Sequence, residues 1–171
     1  MTKTSFRLNF ISPYIELPKK LTVKQNLIVY AKLYNVKKID ERIEYLSSTL
    51  RLDKIINSLT GELSSGQKNR VSLAKSLINT PSILLLDEPT ASLDPDTGDF
   101  VRSFLEKYIK ENTVSILLAS HNMNEVKRLC SNVLMMKNGK IIDEGTPNQL
   151  LKKHGQDNLE EVFLKLSRNE K

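Results

Sequence analysis

The fold of this chain is decided by the stretch ILLLDEP at residues 83–89. Four apolar residues followed by two carboxylates predict a buried β-strand with an acidic carboxyl end. Open α/β sheets bind their ligands at that end of the strands. About one helix length upstream, residues 63–67 read LSSGQ, and Ser64 and Gln67 have the spacing of a capping box at a helix start. Together the two stretches predict half of a nucleotide-hydrolysing site. The other half, a G-x-x-x-x-G-K-[ST] phosphate loop, does not occur in the 171 residues.

The residues before LSSGQ predict one strand and two helices. Residues 6–11 alternate apolar and polar side chains, which predicts a strand that Pro13 ends. Thr22 is a candidate N-cap for a helix with an apolar face at steps of three and four residues. Asp40 is a candidate N-cap for a second helix. These helices predict a small helical subdomain beside the sheet.

The residues after ILLLDEP predict a βαβ unit and a hairpin. Pro95 opens an amphipathic helix, and residues 115–119 form a second apolar strand that should lie parallel to the first. Asn138-Gly139 between apolar runs predicts a β-hairpin with strands at 133–136 and 141–142. The tail from Asn158 predicts another amphipathic helix.

Composition limits the class of protein. A length of 171 residues, 39% hydrophobic and 27% charged, suits one globular domain. Apolar runs such as residues 83–86 are far shorter than a membrane helix, and Cys130 alone cannot form an internal disulfide. The net charge of +6 comes from scattered lysine pairs. These pairs indicate a solvated surface, with an anionic membrane face or a nucleotide as the alternatives.

Each candidate site residue has a functional and a structural interpretation. Asp87 could hold Mg²⁺, and Glu88 could polarise an attacking water as a general base, but the pair could also be a polar turn. The Ser64–Gln67 helix start could bind an anion through its free N–H groups, or it could be an ordinary capping box. His121 follows the strand at 115–119, where it could reach a phosphate or serve a structural role.

Taken together and in order, the motifs LSSGQ (63–67), ILLLDEPTASLD (83–94) and LLASHNMNEV (117–126) resemble the ATP-binding domain of ABC transporters. The resemblance covers nearly the whole chain. It implies an α/β fold, a partial P-loop NTPase (ABC ATPase) fold with parallel core strands and crossover helices. It also implies a helical subdomain with the signature motif at 22–80, a core sheet segment at 81–145 and C-terminal helices at 146–171, within a single incomplete domain at 1–171.

The same resemblance assigns roles to the candidate residues. Asp87 would be the Walker B aspartate that holds Mg²⁺, Glu88 the catalytic base and His121 the switch histidine. The signature residues and the D-loop aspartate would bind ATP from across a dimer interface; they are Ser64, Ser65, Gly66, Gln67 and Asp94.

The resemblance further implies an ATP-hydrolysing transporter subunit with ATP and Mg²⁺ as cofactors. Its partners would be an intact ABC ATPase subunit in a heterodimer and a membrane-spanning transporter subunit, at the cytoplasmic face of the cell membrane. Nucleic acid is not expected as a partner, because basic residues are not interleaved with aromatic ones and tryptophan is absent. The ending NLEEVF at 158–163 is similar to the tail of ABC-2-type exporter subunits.

Three departures from the family pattern change these expectations. The chain lacks the phosphate loop and the adenine-stacking aromatic segment. The residues ISPY at 11–14 replace the glutamine that follows the second strand, and Ser65 replaces the usual glycine of the signature. The Ser65 replacement is mild if the backbone there has φ < 0. Without the phosphate loop, ATP should bind weakly to the chain alone. The alternatives to a fragment of a hydrolysing subunit are a non-catalytic module that lends its signature motif to a partner, and a decayed fragment.

One consequence concerns the sheet itself. In this family the phosphate-loop strand lies beside the strand that precedes the switch histidine. Its absence predicts an open backbone edge on the strand at 115–119. We therefore expect the isolated chain to be marginally stable or prone to aggregation.

Overall fold

The computed structural model describes residues 8–12, 16–91 and 93–168. These residues fall into two compact units, Met1–Ala119 and Ser120–Lys171. The first unit contains Leu8–Ile11 (β1), Val23–Leu33 (α1), Ile39–Thr49 (α2), Ser65–Leu77 (α3), Ile83–Asp87 (β2), Pro95–Glu111 (α4) and Ser115–Ala119 (β3), with 3₁₀ turns at Asp53–Ile55 and Thr60–Glu62. The second contains Met123–Leu129 (α5), Val133–Lys137 (β4), Lys140–Gly145 (β5), Pro147–His154 (α6) and Leu159–Arg168 (α7). No helix within the described residues is long and apolar enough to cross a membrane.

The first unit is built on a three-stranded parallel sheet in the order β1-β2-β3. Leu86 pairs with Ile11 on one side and with Leu118 on the other, so β2 is the central strand. The predicted parallel pairing of residues 83–86 with 115–119 is confirmed. The predicted strand at 6–11 is confirmed over Leu8–Ile11, while residues 6, 7 and 13 lie outside the described residues.

One face of this sheet is buried. Alternate residues of β1 and β2 point into the core, including Ile11, Leu84 and Leu86. Helix α3 packs against β1, and its buried residues are Val71, Leu73, Ala74, Ser76 and Leu77. Asn9 is buried too, because its side-chain amide donates to the carbonyl of Ser76 and to Asn79 Oδ1. These bonds tie the α3 end to the first strand.

The helical part of this unit agrees with the sequence except at one cap. Thr22 is the N-cap of α1, as predicted, and it forms a capping box in which Gln25 Oε1 accepts from the Thr22 N–H. The prediction that Asp40 caps α2 is wrong, because Ile39 is already helical and the N-cap is Lys38. Asp40 lies instead in the first turn, where a carboxylate is favoured by the helix dipole without acting as a cap.

The second unit is a hairpin packed with three helices. Strands β4 and β5 pair antiparallel across Asn138-Gly139, both with positive φ (50° and 73°), which confirms the predicted turn. The predicted tail helix is confirmed as α7. Side chains from the hairpin and all three helices form one hydrophobic core: Val126, Val133, Met135, Leu150, Leu159 and Val162.

Candidate functional site

Asp87 lies where the sequence places it, at the carboxyl end of the central strand. It is the last residue of β2 and pairs with Ala119 at the end of β3. Its carboxylate accepts a 2.9 Å hydrogen bond at Oδ2 from the hydroxyl of Ser12. Ser12 follows β1 directly, and because Ile11 pairs with Leu86, the register carries Ser12 to the level of Asp87. The parallel strands β1 and β2 therefore bring one hydroxyl and one carboxylate to the same end of the sheet.

Glu88 is held in an unusual backbone conformation. Its φ of 48° lies in the left-handed region, which non-glycine residues rarely adopt and which clusters at functional sites. The Glu88 N–H donates to the Ala119 carbonyl at 2.8 Å, which extends the sheet ladder by one residue. The next residue is fixed from the side, because the Asn69 amide of α3 donates to the Pro89 carbonyl at 2.7 Å. The turn at residues 87–89, here called the acidic turn, is thus hydrogen-bonded to both β3 and α3.

The signature turn is a complete capping box. Ser64 is the N-cap of α3, its hydroxyl accepts from the Gln67 N–H, and Gln67 Oε1 accepts from the Ser64 N–H. Ser65 is the first helical residue and is not among the described residues with positive φ, so serine is tolerated there. A Cβ at Gly66 would lie 3.4 Å from the Thr97 methyl group, which shows how closely this turn approaches α4.

Asp94 is the N-cap of α4. Its carboxylate accepts from the Thr97 N–H at 3.0 Å. Hydrogen bonds from the backbone and the hydroxyl of Thr97 hold the pKa of Asp94 below its ordinary value. Ser92, two residues earlier, lies outside the described residues.

A cavity of about 290 Å³ in the first unit joins two of the predicted stretches. Glu88 lines it from the end of β2, and Ser65 lines it from the start of α3. Further polar side chains come from the body of α3, from the end of β1 and from the connecting residues Glu16, Lys19 and Thr60, and apolar side chains complete the lining. The lining includes Ser12, Lys68, Asn69, Ser72, Ile11, Leu17, Leu63, Val71 and Ala91. The structure therefore brings Glu88 and Ser65 to one cavity, whereas the other predicted site residues do not line it.

His121 belongs to the second unit, two residues beyond the end of β3, and its side chain is exposed. Its two neighbours in sequence are anchored. The Ser120 hydroxyl donates to Glu125 Oε2 at 2.7 Å and accepts from the Asn122 N–H at 3.1 Å. Asn122 in turn caps α5. The turn that carries His121 is therefore fixed on both sides by α5.

The donors at the ends of β1 and β2 suit a hard divalent cation. The carboxylate of Asp87 and the hydroxyl of Ser12 are oxygen donors, the ligand type that Mg²⁺ prefers. The described residues include no group of three His, Cys, Asp or Glu side chains that could hold a metal by themselves. A single carboxylate matches the usual magnesium site, in which one or two carboxylates are completed by water and substrate phosphates.

The comparison with protein families agrees with this arrangement of motifs. The family model described as "ABC transporter" matches residues 2–91, a little over half of the chain. This chain belongs to the ABC transporter family. The matched region includes both the signature turn and the acidic end of β2.

Curated relatives of this family cover most of the chain. The Nod factor export ATP-binding protein I of Rhizobium sp. (strain N33) is 32% identical over 158 residues, which is 91% of this chain and 52% of that protein. The methionine import ATP-binding protein MetN 4 of Oceanobacillus iheyensis is 35% identical, over 85% of this chain and 43% of that protein. The ABC transporter ATP-binding protein NatA of Bacillus subtilis (strain 168) is 33% identical, over 85% of this chain and 59% of that protein. The chain spans about half the length of the curated relatives it matches.

Solved structures show the same fold. An ATP-binding subunit of an ABC transporter superposes with a TM-score of 0.83 over 95% of this chain and 69% of that chain, at 22% identity. A dimeric ATP-binding cassette in a post-hydrolysis state with ADP and Pi gives a TM-score of 0.72 over 81% of this chain and 62% of that chain, at 25% identity. The α/β fold with a parallel sheet predicted from the motifs is therefore that of a P-loop NTPase of the ABC type.

Sequence reasoning missed three polar residues of the site. Ser12, Lys68 and Asn69 were not singled out, although Ser12 and Lys68 line the cavity and Asn69 holds the acidic turn. Ser12 could have been found from the strand pattern alone, because the carboxyl ends of parallel strands meet at one edge and both β1 and β2 end there. Lys68 and Asn69 carry no such signal, since their roles depend on how α3 docks.

Proposed function

We propose that this chain is part of an ATP-binding and ATP-hydrolysing subunit of an ABC transporter, with the phosphate-binding loop supplied from outside the 171 residues. The observation that carries the proposal is the pair Asp87-Glu88 at the carboxyl end of the central strand of a parallel sheet. That is the ligand-binding end of such a sheet.

In this proposal each residue has a role that its position favours. Asp87 would hold Mg²⁺, which when bound to ATP neutralises charge on the β- and γ-phosphates. Glu88, at the next position, would accept a proton from the attacking water. The α3 N-terminus at Ser64 would face a nucleotide held by a partner, because its exposed serines and helix dipole favour an anion. His121 and Asp94 would act at the same interface as the family resemblance implies.

The nucleotide sequence upstream of the Met1 codon tests this proposal. Translated in all three frames, it should encode a strand, a G-x-x-x-x-G-K-[ST] loop and a helix. A region that encodes no such segment would count strongly against a hydrolysing subunit.

A second candidate function is a non-catalytic module that lends its signature turn to a partner ATPase. The specific observation in its favour is that the capping box of this turn is complete and its two serines are exposed, whereas the Asp87-Glu88 end has no phosphate loop beside it in the 171 residues. The partner would be a complete ABC ATPase subunit, and the assembly would lie at the cytoplasmic face of a membrane.

An ATPase assay separates the two functions. The chain is measured alone and mixed with a complete subunit, as wild type and as Ser64→Arg, which places a long cation in the signature turn. The matched control is Thr22→Arg, because Thr22 forms the same capping box on α1. A module should stimulate the partner several-fold, and this stimulation should be lost in Ser64→Arg and kept in Thr22→Arg. Robust hydrolysis by the isolated chain would eliminate the module and show that the missing loop is dispensable.

A further inference from the structure

The contact between Ser12 and Asp87 has no counterpart in the motifs that identified the family. Ser12 is 6% exposed, and its hydroxyl lies 2.9 Å from Asp87 Oδ2. Within the described residues, the Ser12 hydroxyl is the only group that hydrogen-bonds to the Asp87 carboxylate. The bond joins the ends of β1 and β2 at the edge of the sheet where the proposed cation would bind.

A donor on one oxygen of a carboxylate fixes the plane of the group. A free aspartate rotates broadly about its last side-chain torsion, so its oxygens sample many directions. The bond from Ser12 engages Oδ2 and leaves Oδ1 to serve as the cation ligand. Residues that orient a ligating carboxylate through such bonds typically contribute 10- to 100-fold in metal affinity.

We infer that Ser12 is a positioning residue that orients the carboxylate of Asp87 for a divalent cation. The inference rests on the proposed function, because that function gives Asp87 its cation. Ser12 acts through Asp87 and need not touch the cation itself.

The chain offers a close structural control for this contact. Ser47 on α2 is also buried, and its hydroxyl lies 2.9 Å from Asp53 Oδ1. This second serine–aspartate bond lies in the helical part of the unit, away from the carboxyl ends of the strands. Ser47→Ala therefore removes an equivalent hydrogen bond without affecting the orientation of Asp87.

The experiment is a Mn²⁺ titration of the 171-residue chain followed by electron paramagnetic resonance, with Mn²⁺ as the probe for Mg²⁺. Asp87→Asn defines the part of the binding that depends on Asp87. We expect Ser12→Ala to weaken that part about 10-fold or more, Ser12→Thr to restore it through its hydroxyl, and Ser47→Ala to leave it unchanged. Ser12→Cys keeps the side-chain volume with a weak donor and replaces the alanine variant if that variant does not fold, as judged by circular dichroism.

Two results separate this inference from the proposed function. If Asp87→Asn removes the binding but Ser12→Ala and Ser12→Cys bind as tightly as wild type, Ser12 does not position Asp87, and the proposed cation site stands. If Asp87→Asn binds Mn²⁺ as wild type does, Asp87 holds no cation in this chain and the inference is overturned. The proposed function, in which a phosphate loop and substrate phosphates complete the site, is tested separately by the sequence upstream of the Met1 codon. An equal loss of Mn²⁺ affinity in Ser12→Ala and Ser47→Ala would show that both variants act through a general loss of stability, and it would also overturn the inference.

Discussion

The two faces of the three-stranded sheet differ in how completely they are covered. On one face the β2 side chain Leu84 is fully buried, and its neighbours on β1 and β2 are buried as well. On the other face Leu117 of β3 is 63% exposed, and Leu8, Phe10 and Ile83 are exposed beside it. Both faces are apolar, so their sequence does not distinguish them. The difference lies in what packs on them.

An uncovered apolar face is unusual for a parallel sheet. Such sheets are normally buried on both faces, and their strands are apolar throughout for that reason. In the described sheet β3 is an edge strand, which agrees with the open edge predicted from the missing phosphate-loop strand. The hairpin of the second unit has the same asymmetry, with Val133 and Met135 buried and Met136 and Ile141 exposed. The open faces are exposed apolar surfaces of the kind that favour contact with other surfaces.

The largest expected effect is on the covered face. Leu84→Ala removes a fully buried side chain and should lower the free energy of unfolding by about 2 to 5 kcal/mol. Its neighbour Ile83 points to the open face, so Ile83→Ala is the matched control and should cost less than about 1 kcal/mol. Urea unfolding followed by circular dichroism measures both. Equal losses would mean that the two faces are covered alike.

An effect of intermediate size on stability is expected at a polar residue on the covered side of the hairpin. Asp143 lies opposite Met135, and its buried carboxylate accepts from Lys153 Nζ and pairs with His154 Nε2, each at 2.6 Å. Asp143→Asn should lower stability by about 1 to 3 kcal/mol, because it weakens two charge-assisted hydrogen bonds. Glu144→Gln, on the next residue of β5, is the control and should have little effect.

The effect of Asp143 should depend on pH in a defined direction. Hydrogen bonds from Lys153 and then His154 lower the pKa of Asp143 from 3.8 to about 2. Because the folded-state pKa is the lower one, the carboxylate stabilises the fold above the unfolded value of 3.8, and this contribution is lost as the pH falls towards 2. The gap between wild type and Asp143→Asn should therefore be constant from pH 7 to about 5 and narrow in acid. A gap that persists at low pH would show that packing, and not charge, is responsible.

Helices, strands and motifs could be predicted from the sequence more completely than the contacts between residues that are far apart along the chain. The strands at 83–86 and 115–119, the Asn138-Gly139 turn and the Ser64–Gln67 capping box were predicted because each has a local pattern. The Asp40 cap was wrong because a polar residue in the first turn and one at the cap give the same pattern, and only the backbone angles separate them. Ser12 and Asn69 were missed because their partners are far along the chain. Which sheet face is covered was equally beyond the sequence, since both faces are made of the same apolar residues.

The smallest effect on stability, but a clear one on solution behaviour, is expected at the open face. Leu117→Lys places a charge on the edge strand β3, where lysine opposes pairing with another chain. Since Leu117 is already exposed, the free energy of unfolding should change by only about 0.5 kcal/mol, while self-association should fall. The control is Leu33→Lys, because Leu33 is 60% exposed at the end of α1, away from any sheet edge. Sedimentation velocity over a range of concentrations measures the association. A wild-type chain that stays monomeric at every concentration and melts cooperatively would show that the open face and edge do not drive association.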